Sequence, residues 1–211
     1  KRWQMGTGYC YCSTCAVCPS GQYKAGGCNK DTSCSGTPCP PGKVGIGGQT
    51  SEAQATCTDC PAGMYRSLAD SITCRLCPPG TFSPYNGSTD ISQCLPCPSG
   101  RVCGTQGMRG LEESTRCPEG YACGVGTDRS TQFSHKCPAA YFCTEETPPD
   151  AQYGFTCQAG HYCLRGTPFY LATRNKCEVG YFCPPGTASG SEPEVRCPYQ
   201  TTTSTGSTST T

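Results

Sequence analysis

Aliphatic side chains are scarce in this chain. Leu, Ile, Val and Phe together account for 21 of 211 residues. A chain so poor in them cannot bury enough apolar surface to offset the entropy of an ordered backbone, which excludes an ordinary hydrophobic core. Histidine is nearly absent, with only His135 and His161, and tryptophan occurs once, at Trp3. Neither charge sign dominates: 16 Lys and Arg face 15 Asp and Glu, interspersed along the chain. The balance leaves no basic patch for nucleic acid and no charge run for a membrane surface. No stretch approaches the ~20 apolar residues of a membrane span. No segment combines sustained 3.6-residue periodicity with start and stop residues, which predicts little helix. The chain opens on Lys1 without a leader-like stretch, as a mature or truncated form would.

Cysteine, glycine and proline are abundant instead, at 23, 27 and 19 residues. At that cysteine density cross-links substitute for a core, and an oxidising compartment is the natural setting. Each disulfide contributes about 2–4 kcal/mol, mainly by restricting the unfolded chain. The cysteines are also periodic. One set falls at Cys97, Cys117, Cys137, Cys157, Cys177 and Cys197, and a second at Cys103, Cys123, Cys143, Cys163 and Cys183, each on a step of 20 residues. Gly100, Gly120, Gly160 and Gly180 keep the same step, with Ala140 as the exception, and Tyr121, Tyr141 and Tyr181 follow, joined by His161. Gly-Thr pairs recur at Gly126-Thr127, Gly166-Thr167 and Gly186-Thr187, and a basic residue precedes the opening cysteine at Arg116, Lys136, Lys176 and Arg196. A fixed short period marks a repeat protein in which each unit contacts mainly its neighbours.

Four zones follow. Residues 1–38 hold six irregularly spaced cysteines. Residues 39–96 carry longer units, each opening on Cys-Pro-x-Gly. Residues 97–198 are five 20-residue repeats, and residues 199–211 form a Thr/Ser-rich tail. The expected fold class is small disulfide-rich repeats: an elongated rod of short β-ribbons and turns with little helix.

The units "CPAGMY…C" (from Cys60) and "CRLCPPGTFSPYNGSTDISQCLPC" (74–97) resemble the ephrin-receptor-like and tumour-necrosis-factor-receptor-like cysteine-rich repeats. Later units, as in "CPPGTASGSEPEVRCP" (183–198), look like a condensed form, so the resemblance covers roughly residues 39–198. Residues 1–38 match no pattern. The resemblance implies an extracellular module of the kind found in receptor ectodomains and in large extracellular proteins of protists and algae, including those of flagellar hairs (mastigonemes).

Two disulfide registers suit the short repeats. In one, each second cysteine joins the next opening cysteine: Cys103–Cys117, Cys123–Cys137, Cys143–Cys157, Cys163–Cys177 and Cys183–Cys197. That register aligns with Cys60–Cys74 and Cys77–Cys94, matches the receptor-like family's Cys-x-x-Gly loop, and leaves Cys97 without an obvious partner. In the other, Cys97–Cys103, Cys117–Cys123, Cys137–Cys143, Cys157–Cys163 and Cys177–Cys183 close small loops, and Cys197 is left over. Cys39–Cys57 fits either. The first is favoured because one rule then covers both unit types. The odd total of cysteines implies either one sulfur that is free or paired with chain beyond these residues, or an intermolecular bond.

Catalytic chemistry finds little support. "CTDC" (57–60) and "CRLC" (74–77) have a good zinc-site spacing, but the same cysteines continue in step into the repeats, and zinc would require a reducing setting. "CSTC" and "CAVC" (12–18) lack the βαβ pattern of a redox enzyme. His135 and His161 sit in different repeats with no nucleophile or acid around them. Glu112-Glu113 and Glu145-Glu146 read as solvated loop acids, and no oxygen set has calcium-site density. The expectation is no enzyme, no cofactor, no metal and no catalytic residue.

The aromatics Tyr121, Tyr141, Phe142, Tyr162, Tyr181 and Phe182 recur beside the repeat cysteines. They either pack on neighbouring disulfides or form an apolar stripe buried between chains. Asn86-Gly87-Ser88 is an N-glycosylation sequon in a loop, and Asn86 is its acceptor. The tail offers Thr201, Thr202, Thr203, Ser204, Thr205, Ser207, Thr208, Ser209, Thr210 and Thr211 for O-glycans, as in a mucin-like stalk. The expected function is a non-enzymatic structural subunit of an extracellular fibrous assembly, a filament, sheath or flagellar hair. Like chains and glycans are the expected partners, with no nucleic acid and no membrane span. The alternative is a ligand-binding or adhesion ectodomain of a cell-surface receptor.

Overall fold

The computed structural model describes residues 22–23, 37–45, 57–68, 73–191, 196–197 and 205–206. The six cysteines of residues 1–38 lie outside that set. The chain divides into two compact units, Lys1–Cys77 with Ser83–Leu95, and Pro78–Phe82 with Pro96–Thr211.

Short antiparallel ribbons and turns make up both. In the first unit, Lys43–Gly45 pairs with Cys57–Asp59, and Met64–Tyr65 pairs with Arg75–Leu76. In the second, Arg101–Val102 pairs with Thr115–Arg116. Further along, the ribbon shrinks to single bridges: Tyr121 opposite Lys136, Tyr141 opposite Thr156, His161 opposite Lys176 and Tyr181 opposite Arg196. Helix among the described residues is confined to the turn Phe169–Ala172 and the 3₁₀ turns Ile91–Gln93, Leu111–Glu113 and Pro149–Ala151. None of it is long and apolar enough to cross a membrane.

One local rule builds every repeat. After the opening cysteine the chain makes a tight turn, in which the Tyr121 N–H donates to the Pro118 carbonyl at 3.2 Å and Gly120 takes φ +81°. That turn type needs a positive φ at its third residue, which glycine adopts without cost. The same bond recurs from Lys43 to Pro40, Met64 to Pro61 and Thr81 to Pro78, so long and short units share it. Ala140, which replaces glycine in one repeat, keeps the geometry at φ +74°.

Successive repeats are joined by backbone hydrogen bonds in register. The N–H of the turn residue donates to the carbonyl of the next unit's second cysteine: Gly100 to Cys123, Gly120 to Cys143, Ala140 to Cys163 and Gly160 to Cys183, at 2.8–3.0 Å. The second cysteine's own N–H donates to the buried threonine of the next unit: Cys103 to Thr127, Cys123 to Thr147, Cys143 to Thr167 and Cys163 to Thr187. Each of those threonines donates its hydroxyl three residues back, Thr127 to Gly124 and Thr167 to Leu164 for example, at 2.7 and 2.6 Å. The recurring Gly-Thr pairs are thus explained. The glycine supplies the left-handed turn and the threonine satisfies two polar groups where water is excluded.

The disulfides correct the favoured register. Among the described residues the bonds are Cys39–Cys57, Cys60–Cys74, Cys77–Cys94, Cys97–Cys103, Cys117–Cys123, Cys137–Cys143, Cys157–Cys163 and Cys177–Cys183. None of the five expected links from Cys103–Cys117 to Cys183–Cys197 forms. Cys97 pairs with Cys103, and because Cys183 closes on Cys177, Cys197 does not take it; Cys197 is itself buried. The reason is the turn. It returns the chain so that the seventh residue of the unit lies beside the first, with Cys117 and Cys123 Cα atoms 5.7 Å apart. In short repeats the seventh residue is cysteine. In long units it is Gly45, Arg66 or Ser83, so the opening cysteine pairs instead with the one that ends the unit. The shorter loop also costs about 0.7 kcal/mol less to close than one of fourteen residues.

The core consists largely of these sulfurs, with one or two apolar neighbours on four of the disulfides. Tyr65 packs on Cys77–Cys94, Val102 on Cys117–Cys123, and Phe142 with Ala172 on Cys157–Cys163. Met108, fully buried, lies against Cys97–Cys103 with Phe82. Val102 and Phe142, each just before a second cysteine, thus reach the next disulfide, which is how a few apolar side chains serve several cross-links.

Candidate functional site: the repeat surface

The basic residues that precede the cysteines owe their period to the ribbon. Each stands across from the residue that follows the turn: Arg116 from Arg101, Lys136 from Tyr121, Lys176 from His161, Arg196 from Tyr181. Arg116 is further engaged within the chain. Its Nη1 lies 3.1 Å from Glu145 and its Nε 3.5 Å from Glu146, while Arg101 Nη2 lies 2.9 Å from the same Glu146 carboxylate. The hydrogen bond that Arg116 donates to the Glu145 carboxylate raises the Arg116 pKa above its ordinary value. Glu145-Glu146, read from sequence as a solvated pair, is thus an ion-pair partner of two arginines. All four side chains are exposed or half-exposed, where solvent screens such pairs and they add little stability. Glu146 also takes the place of the Gly-Thr glycine and accepts φ +62° to do so. Glu113 reaches back to the Arg109 N–H.

The aromatic rings fall into two sets. Phe142 is buried, whereas Tyr121, Tyr141, Tyr162, Tyr181 and Phe182 are half-buried. The exposed rings are ones that the sequence reading missed: Phe133, Tyr153, Phe155, Phe169 and Tyr170, each about half exposed. All but Tyr170 lean on the first set. Tyr121 meets Phe133 edge-on at 5.0 Å and Tyr141 meets Tyr153 at 5.3 Å. Phe142 stacks on Phe155 at 5.4 Å and tilts against Phe169 at 5.7 Å. Phe133 and Tyr153 are 20 residues apart, so the period could have found them; their exposure could not be read from it. Val125, Leu164 and Val179 add exposed apolar area.

The remaining candidates are dispersed. Cys57, Cys60, Cys74 and Cys77, which have zinc-site spacing, belong to three different disulfides. His161 holds a tyrosine's place in the ribbon, its Nδ1 3.2 Å from the Ala159 carbonyl, and His135 is exposed. No cluster of metal-ligating side chains occurs among the described residues. Asp128 caps its own loop, its Oδ1 accepting from the Ser130 hydroxyl at 2.7 Å and the Thr131 hydroxyl at 2.9 Å, and these bonds lower its pKa. Asn86 is exposed. In the tail, Thr205 is exposed, and Thr201, Thr202, Thr203, Ser204, Ser207, Thr208, Ser209, Thr210 and Thr211 lie outside the described residues.

These features define a protein built from small disulfide-rich β-ribbon repeats of an extracellular type. Residues 47–94 match the tyrosine-protein kinase ephrin type A/B receptor-like family, so that part of the chain is similar to a cysteine-rich receptor-like repeat. No curated protein matches the chain. Repeats of this type fit a non-enzymatic extracellular role.

Proposed function

We propose that this chain is a non-enzymatic structural subunit of an extracellular fibrous assembly, a filament, sheath or flagellar hair, in which like chains pack along their repeats. The observation that carries the reading is the backbone ladder on the 20-residue step, from Gly100–Cys123 to Gly160–Cys183. A constant step presents the same groups at every unit, so one surface can meet its copy repeatedly, whereas a ligand site needs only one or two special units. The half-exposed rings of Phe133, Tyr153 and Phe155 would supply apolar burial to such packing. Ion pairs contribute less, since Arg116 already has partners within the chain. The subunit is secreted or held at the cell surface, carrying sugar on Asn86 and on the residues from Thr201 to Thr211.

Electron microscopy of native material under non-reducing conditions tests the proposal. Ordered filaments with a constant axial repeat are expected. A dispersed monomer that binds a soluble ligand would overturn it in favour of a receptor ectodomain, the reading that the match over residues 47–94 supports.

A further inference from the structure

The sequon Asn86-Gly87-Ser88 is only half available in the folded chain. Asn86 is exposed, but its Oδ1 accepts the Ala62 N–H at 2.8 Å. Ser88 is 3 % exposed, and its hydroxyl lies 3.1 Å from that of Ser83, itself fully buried, and 3.5 Å from the Tyr85 carbonyl. The backbone is held as well. The Gly87 N–H donates to the Cys60 carbonyl at 2.7 Å, and the Ser88 carbonyl accepts the Arg66 N–H at 3.0 Å. Gly87 takes φ +73°, and a Cβ on Gly42 would collide with the Gly87 carbonyl. The three sequon residues, inside the loop closed by Cys77–Cys94, are therefore stitched to residues 60–66 of the loop closed by Cys60–Cys74.

A glycosyltransferase reads this tripeptide through both the asparagine amide and the third-residue hydroxyl. The first faces solvent here and the second does not. We propose that Asn86 is modified only before residues 57–94 close, so that glycan addition and disulfide formation compete for this segment. In the transfer, the Asn86 amide nitrogen bonds to C1 of the sugar of a lipid-pyrophosphate-linked oligosaccharide. The C1–oxygen bond breaks, the lipid pyrophosphate leaves with the electron pair, and the amide proton passes to a base on the transferase. Once attached, the sugar does not disturb the fold, because the amide oxygen keeps its bond to Ala62. The first sugar then meets a shallow groove lined by Tyr85, Ser92, Gln93 and Leu95 beside Asn86. The exposed Tyr85 ring offers it a stacking face.

This inference rests on the glycoprotein part of the proposed function, and the test separates the two. Unglycosylated full chain is prepared once oxidised and folded, and once reduced and alkylated. Each is incubated with oligosaccharyltransferase and a lipid-linked oligosaccharide, with Asn86→Gln as the blank, and sugar on the peptide containing Asn86 is measured by mass spectrometry. The folded chain should be modified roughly tenfold more slowly or less, since it reacts only through local opening. Equal rates would overturn the order of events, as would failure of both forms to react. The chain secreted from eukaryotic cells is analysed alongside. Sugar on Asn86 there is expected. Its absence would overturn the use of the site itself, whereas its presence together with equal rates in vitro would overturn only the timing.

Discussion

The long units of residues 39–94 and the 20-residue repeats that follow share one turn but place their sulfurs differently. Both open on a buried cysteine and a left-handed turn residue. They diverge at the seventh position. Where that residue is Cys103, Cys123, Cys143, Cys163 or Cys183, the disulfide closes within the turn. Where it is Arg66 or Ser83, the cysteine partner comes from the end of the unit, Cys74 or Cys94, and the seventh position is filled by polar chemistry. The Arg66 guanidinium is buried and donates to the carbonyls of Cys39, Pro40 and Lys43 at 3.0, 3.2 and 2.7 Å. The Ser83 hydroxyl pairs with Ser88. The repeat is therefore defined by its backbone bonds, and the cross-link is an interchangeable means of holding the turn.

The largest test removes cross-links of each kind. Replacing Cys60 and Cys74 by alanine should lower stability by about 3 kcal/mol, and replacing Cys117 and Cys123 by about 2 kcal/mol, because the longer loop restrains the unfolded chain more. Denaturant unfolding followed by circular dichroism measures both, and equal losses would contradict the loop argument. The comparison is sharpened by converting one unit type into the other. Ser134 stands three residues before Cys137, as Cys94 does before Cys97. Cys123→Ser combined with Ser134→Cys should move the disulfide partner of Cys117 to position 134, as read by non-reducing peptide mapping.

Arg66→Met probes the polar substitute. It takes a donor from the Cys39 and Lys43 carbonyls, while the Pro40 carbonyl keeps the Lys43 N–H, and a loss of about 2–3 kcal/mol is expected from the cost of unsatisfied buried acceptors. An unchanged unfolding midpoint would show that the guanidinium is dispensable.

Glycine at the turn is tested by exchanging the exception with the rule. A Cβ on Gly120 would strike the Gly166 carbonyl, and Gly120 is also left-handed. Gly120→Ala should cost about 1–3 kcal/mol. Ala140→Gly should return at most about 1 kcal/mol, since relief of strain is offset by a more flexible unfolded chain. Thermal unfolding of the two variants gives the signs.

Surface electrostatics should matter least. Arg116→Ala removes the exposed pairs to Glu145 and Glu146, and only a marginal loss of stability is expected, shrinking further in salt. Asp128 has a folded pKa below its unfolded one, lowered first by the Ser130 hydroxyl. Its contribution is therefore present above the unfolded value of about 3.9 and is lost as pH falls through the folded value. Wild type and Asp128→Asn should differ slightly at neutral pH and converge in acid; a difference that grows on acidification would refute the cap.

Much of this was legible in the residues themselves. The glycine-bearing turn, the scarcity of helix and the reliance on disulfides follow from composition and period. The register did not follow, because a period identifies equivalent positions without saying which non-equivalent ones are close. Phe142 and Phe133 illustrate the same limit. Both are aromatic and near a repeat cysteine, yet one packs on Cys157–Cys163 and the other faces solvent. The pairing of Arg116 with Glu145, across 29 residues, had no sequence signal beyond opposite charge.

By itself, then, the sequence determined the repeat length, the residues that turn the chain and the need for cross-links, since each depends on local sterics or on total apolar content. Only the tertiary structure decided which sulfurs join, which rings are buried and which charges pair. Those outcomes depend on distances between neighbouring units, and it is the backbone bonds from one repeat to the next, such as Gly120 to Cys143 and Cys123 to Thr147, that set them.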